Sequence, residues 1–300
     1  MAQIIASLAE VGGRYDAVFC DLWGCLHNGR QPFPSAVAAL QTYRRGGGTV
    51  VLLTNAPRPK GSVVAQLDGM GVPRDAWDEV VTSGDAAQFA MLSGAVGRQV
   101  YAIGSEKDEP FYTDFAADLA EYAASQPPIR RVARMEEAEG IVCTGLRDDL
   151  TETPADYRAE LLLGKTLGLP MLCANPDIVV DYGDKRLWCA GALARDYEQL
   201  GGRALYFGKP HPPIYDLARR RLGALLAGAA AGDPQILCIG DGIGTDIQGG
   251  LAEGLDTLFI SGGIDAAAFG PDSDHPDPAL LEPWLAARQL SATFALGRLR

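Results

Sequence analysis

Five polar residues each follow the end of an apolar run. Asp21 follows Ala17-Val18-Phe19-Cys20, and Thr54, with Asn55 next to it, follows Thr49-Val50-Val51-Leu52-Leu53. Lys209 follows Arg203-Ala204-Leu205-Tyr206-Phe207 and Gly208, while Asp241 and Asp246 come after Gln235-Ile236-Leu237-Cys238-Ile239 and Gly240. Carboxylates from separate strands can hold Mg²⁺, which takes oxygen ligands. A lysine and a threonine hydroxyl beside them can hold phosphate oxygens, one by charge and one by hydrogen bonding. One carboxylate is then free to attack phosphorus and form an aspartyl-phosphate. The cations are needed because a carboxylate and a phosphate repel each other.

These residues need a scaffold that gathers them. Near-continuous apolar runs bounded by Gly or polar residues read as strands buried on both faces, and Thr257-Leu258-Phe259-Ile260 before Ser261-Gly262-Gly263 adds another. Helical stretches lie between them: Pro34 to Arg45, stopped by Gly46-Gly47-Gly48, then Ser62 to Met70 and Pro213 to Leu222. Alternation of this kind implies a doubly wound parallel sheet of the Rossmann-like α/β class. Ligands of such sheets bind outside the carboxyl ends of the strands, which puts all five residues on one rim.

The middle of the chain repeats the alternation on a smaller scale. Gln99–Ile103, Gly140–Cys143 and Met171–Cys173 read as strands, and Phe111 to Ala124 and Ala155 to Leu167 as helices. The expectation is a core of residues 1–84 and 182–300 with an inserted α/β unit at 85–181. Three hundred residues suit two domains at roughly 150 each.

Composition narrows the class. With 47% hydrophobic and 21% charged residues the chain reads as globular. A net charge of −12 opposes a nucleic-acid backbone as partner. No apolar run approaches the roughly 18–20 residues of a membrane span, and the N-terminus has no basic, then apolar, signal pattern. The six cysteines form no CxxC pair and four sit in apolar runs, so they read as core residues in a reducing cytoplasm.

Asp21-Leu22-Trp23-Gly24, Leu53-Thr54-Asn55, Gly208-Lys209-Pro210 and Gly240-Asp241-Gly242-Ile243-Gly244-Thr245-Asp246 resemble the four ordered motifs of the haloacid-dehalogenase-like (HAD) hydrolase superfamily. Cys173-Ala174-Asn175-Pro176-Asp177, lying between the second and third motifs, resembles the class IIA branch of NagD-like and 4-nitrophenylphosphatase-like enzymes. The resemblance implies a Mg²⁺-dependent phosphatase of small phosphorylated metabolites whose inserted unit caps the site. It makes Asp21 the nucleophile and a metal ligand, Thr54 a phosphoryl hydrogen-bond donor, and Lys209 the neutralising cation. Asp241 would bind metal directly, Asp246 through water or by orienting Lys209, and Trp23 through its backbone carbonyl. Asn55, Asn175 and Asp177 would face substrate, as would Thr144 to Asp149. Oligomerisation through the cap is compatible with this.

Position 23 departs from the family pattern. Its phosphatases carry there an Asp that protonates the leaving oxygen and then activates water; indole N–H is a donor only. Such acid–base help is worth about 10²–10⁴ in rate. Three readings stay open. His27, in the same loop, supplies the proton, or is simply a loop histidine bonded to backbone. The chemistry is instead carbon–phosphorus hydrolysis, for which Lys107 and Lys165 are the only lysines in the insert. Or the protein binds a phosphate ligand without efficient turnover. His211 and His275 read as structural and exposed, respectively.

Overall fold

The computed structural model describes residues 2–183, 185–227 and 233–300. The main sheet has seven strands in the spatial order Gln3–Ile4, Phe294–Leu296, Asp256–Ile260, Ile236–Gly240, Ala17–Cys20, Thr49–Thr54, Glu79–Thr82, every neighbouring pair parallel. Period-two alternation splits each apolar run between two layers. Val18, Cys20, Val50, Leu52, Leu237 and Ile239 pack with helix Pro34–Arg45, while Ala17, Phe19, Val51, Leu53, Ile236 and Cys238 pack with helix Pro212–Leu225. Helix Pro34–Arg45 has Pro34 at its first turn and ends at Gly46, as its sequence signals require.

Strand Ala17–Cys20 is central. From it the chain runs outward to Thr49–Thr54 and Glu79–Thr82 on one side, and returns through Ile236–Gly240 on the other. Strand order therefore reverses between Ala17–Cys20 and Ile236–Gly240, where a crevice opens at the carboxyl ends.

The second sheet has five parallel strands in the order Arg203–Tyr206, Pro170–Cys173, Gly140–Cys143, Gln99–Ile103, Arg130–Val132. Arg203–Tyr206 thus lies outside the main sheet, contrary to the expectation from its position before Lys209. Leu205 pairs in register with Leu172, and helix Ala190–Gln199 packs on the same sheet through Leu193, Ala194 and Tyr197. An insert ending at residue 181 would cut through this unit. At the other end, helix Ser83–Leu92 sends Ala86 to the main-sheet core and Ala87, Ala90 and Met91 to the second.

Two further differences have local causes. The stretch Phe111 to Ala124 is broken into helices Pro110–Thr113 and Ala117–Ser125, because the Gln88 side chain donates to the carbonyls of Phe111 (2.9 Å) and Asp114 (2.8 Å). Ala155 to Leu167 begins as a 3₁₀ turn, Pro154–Tyr157, before helix Arg158–Thr166, with Thr153 and Asp156 capping reciprocally. An antiparallel hairpin, Val179–Tyr182 with Lys185–Trp188, extends from the second sheet.

Candidate active site

Asp21 and Asp241 leave neighbouring strands at the point where the order reverses, and the Asp21 N–H continues the ladder by donating to Ile239 O at 2.8 Å. Lys209 arrives from the opposite direction, off the last strand of the second sheet. The Asn55 side chain seats it: Asn55 Oδ1 accepts from Lys209 N at 2.7 Å, and Asn55 Nδ2 donates to Lys209 O at 3.0 Å. The ammonium then donates to Asp21 Oδ1 (2.6 Å), Asp246 Oδ1 (2.6 Å) and Leu53 O (2.8 Å). Those are all three protons an ammonium has. Lys209 is 2% and Asp21 8% exposed, so the ion pairs are desolvated except toward the cleft.

The remaining carboxylates are held differently. Asp246 sits in a π-helical turn, Ile243–Ile247, where its Oδ2 accepts from Gly242 N at 3.0 Å. Both of its oxygens are thus used by the protein, which favours orienting Lys209 over binding metal directly. Asp241 Oδ2 accepts from Ile264 N at 2.8 Å, and no lysine or arginine pairs with Asp241 among the described residues. Gly24, at φ +74°, lies against Asp241: a Cβ there would fall 1.9 Å from its Oδ2.

Charge in this cluster is unbalanced. Burial pushes Asp21 up to about 7 despite the pull of Lys209, with Asp246 adding to the rise. Burial and then its neighbours Asp21 and Asp246 push Asp241 well above the carboxylate range. Lys209 is held charged by Asp21 and Asp246 against its own desolvation. Three buried carboxylates around one ammonium, donating only hard oxygens, fit a divalent cation of the Mg²⁺ type. Cys25 joins Asp21 and Asp241 in this cluster, with ligand atoms within 4.8 Å of one another. Sequence reading missed it because a cysteine outside any CxxC pair or Cys/His cluster reads as core by default. Burial pushes its thiol well up, so it contributes no charge.

The cluster opens on a cleft of about 700 Å³ between the two sheets. Thr54 lines it, and its hydroxyl oxygen accepts from Ala56 N at 3.2 Å, leaving its proton for a ligand. Asp177 enters from the second sheet and accepts from Asn55 Nδ2 at 2.8 Å. Asn175 lines the cleft, but its Oδ1 is taken by Asp177 N at 2.9 Å. Thr144, Leu146 and Asp149 line the cleft, whereas Arg147 turns to Glu160. The Trp23 ring forms part of the wall, 6.3 Å from Tyr182. Gly29, at φ +85°, makes room for it: a Cβ would lie 2.2 Å from the indole.

His27 does not join the site. It is 1% exposed, packs edge-on to Trp23, and lies outside the cleft lining. Its Nδ1 accepts from Gly29 N at 3.0 Å, and burial pushes it down to about 4. It is therefore neutral near pH 7 and no proton donor to the cleft. Lys107 stands 4.0 Å from Asp149 on an exposed surface. His211 stacks on Tyr206, and exposed His275 meets Asp272 at 3.0 Å.

Comparison with known proteins places this geometry. Residues 18–116 match a family model described as haloacid dehalogenase-like hydrolase, and residues 206–282 one described as HAD-hydrolase-like. A solved haloacid dehalogenase-like hydrolase of Brucella suis 1330 is 42% identical, with TM-score 0.83 over 99% of this chain and 100% of its own. The ribonucleotide monophosphatase NagD of Escherichia coli K12 is 25% identical over 88% of this chain and 97% of its own length. A glycerol phosphate phosphatase of Mycobacterium tuberculosis, solved in complex with magnesium, is 25% identical with TM-score 0.61, over 91% of this chain and 78% of its own. The four motifs, the reversal-point site and these similarities agree: the chain belongs to the haloacid dehalogenase-like hydrolase family, in its NagD-like branch.

Proposed function

We propose that this protein is a Mg²⁺-dependent phosphatase of small phosphorylated metabolites, acting through an aspartyl-phosphate on Asp21. The observation that carries the reading is the Lys209 ammonium, held between Asp21 and Asp246 at the floor of the cleft. Asp21 and Asp241, with the Trp23 carbonyl, would hold the cation, and Asp246 would keep Lys209 in place. Bound there, Mg²⁺ would offset phosphoryl charge as a Lewis acid.

The chain's own residues do the rest. Lys209 neutralises Asp21 and the incoming phosphoryl group together, lowering the repulsion between nucleophile and substrate. The Thr54 hydroxyl donates to a phosphoryl oxygen. Asp21 attacks phosphorus in line with the leaving oxygen, and water later releases phosphate. We place the boundaries of the capping unit within helix Ser83–Leu92 and just after Tyr206, where the sheets exchange the chain. The cap wall excludes water and selects the substrate.

The test is Mg²⁺-dependent hydrolysis of 4-nitrophenyl phosphate by the full chain and by Asp21→Asn and Lys209→Met. Mg²⁺-dependent turnover that both substitutions abolish supports the reading. Equal rates in all three would sink it.

A further inference from the structure

The cleft carboxyl of Asp177 has no part in that scheme. Asp177 follows strand Pro170–Cys173 of the second sheet and lines the same cleft as Asp21. One oxygen is fixed by Asn55 Nδ2 at 2.8 Å, and Asn55 is the residue that also seats Lys209. Among the described residues nothing donates to the other oxygen, Oδ2. Of the other cleft acids, Asp108 accepts from Ser105 and Thr144 at one oxygen, Oδ2, Asp149 stands 4.0 Å from Lys107, and Asp181 pairs with Arg186 near solvent. Trp23 offers only an indole N–H, which does not ionise near neutral pH, and His27 is buried against its ring.

Its surroundings suit a proton carrier. Burial pushes Asp177 up to about 6, against the pull of Asn55 and Lys209, and Asp246 pushes the same way as burial. The other groups facing it are Asp21 and the thiols of Cys173 and Cys189, both thiols pushed up by burial. A phosphate entering the cleft adds negative charge and favours the protonated form further.

We propose that Asp177 is the proton donor and acceptor of this site, doing from the facing wall what position 23 cannot; this rests on the aspartyl-phosphate reading. Asp21 forms a bond to phosphorus as the ester P–O bond breaks, and the Asp177 proton passes to the leaving oxygen. The Asp177 carboxylate then takes a proton from water. The water oxygen bonds to phosphorus as the P–O bond to Asp21 breaks. Phosphate, the Asp21 carboxylate and protonated Asp177 result.

The experiment compares 4-nitrophenyl phosphate with glycerol 3-phosphate, in Mg²⁺, for wild type, Asp21→Asn, Asp177→Asn, Asp177→Glu and Trp23→Asp/Asp177→Asn. Asn at 177 still accepts from Asn55, so the seat of Lys209 persists. In Asp177→Asn, kcat/KM for the alkyl ester should fall about 10²–10⁴-fold, and its decline with rising pH should flatten. The aryl ester, whose leaving group needs no proton, should lose less than about tenfold in its nitrophenolate burst, and phosphate should accumulate on Asp21 after acid quench. Asp177→Glu and the Trp23→Asp double variant should recover alkyl turnover. Equal losses on both esters, an unmoved pH profile and no phosphoenzyme would overturn the assignment and make Asp177 a positioning residue. Wild type and Asp21→Asn matching on both esters would instead remove the underlying phosphatase reading.

Discussion

Two clusters in this protein share one composition, a buried cation between two aspartates. Where helix Pro212–Leu225 meets the helices of the second sheet, Arg221 bonds Asp85 at 2.6 Å, Asp118 at 2.9 and 3.0 Å, and Val80 O at 3.0 Å. Asp85 gives its other oxygen to Lys60 N at 2.8 Å. All three guanidinium nitrogens are bonded, and none of these residues lines the cleft. At the rim, Lys209 is equally well bonded, but an unpaired third carboxylate, Asp241, lies beside it and the cluster opens on the cleft. A satisfied ion cluster away from the cleft holds two units together; one that opens on the cleft with excess negative charge is a site.

The largest effect should separate the two clusters at once. Asp21→Asn should cut steady-state phosphatase turnover by more than about 10⁴-fold. It should leave the metal-free protein no less stable by thermal unfolding, because it relieves crowding among carboxylates. Asp85→Ala should do the reverse. Leaving Arg221 buried and short of a partner should cost about 3–5 kcal/mol in a denaturant titration, with kcat of the folded protein near wild type.

Metal addition sharpens the contrast. At a hundredfold excess over Kd, Mg²⁺ should stabilise wild type and Asp85→Ala by about 2.7 kcal/mol, and Asp241→Asn by much less, read from thermal unfolding. The pH dependence is smaller and has a definite sign. Asp21 titrates at 3.8 unfolded and about 7 folded, so the folded state binds more protons across that window. Its share of metal-free stability is therefore present below 3.8 and lost as pH rises toward 7. The difference between wild type and Asp21→Asn should show this fall, and Mg²⁺ should abolish it. The smallest effect belongs to His27. Because it stays neutral near pH 7, His27→Gln should leave the pH–rate profile in place; a shifted profile would return it to the chemistry.

Much of this was legible in the chain. Asp21, Thr54, Lys209 and Asp241 each follow an apolar run, and strands buried on both faces show such runs plainly. Strand Glu79–Thr82 and the hairpin Val179–Trp188 were not legible, because short runs with charged members look like loops. Helix Phe111 to Ala124 reads as continuous in sequence, since the group that breaks it, Gln88, lies on another helix. His27 carries no sequence mark that separates a titrating imidazole from one buried under Trp23.

By itself the sequence determined the strand–helix alternation, the four motif residues and the departure at Trp23, because side-chain periodicity and turn chemistry are local. Only the tertiary structure decided which sheet takes Arg203–Tyr206, which carboxylates share Lys209, that Asn55 holds one oxygen of Asp177, and that Cys25 comes to the site. Strand pairing, burial and the spacing of charges depend on what the rest of the chain packs against each residue, and no window of sequence contains that.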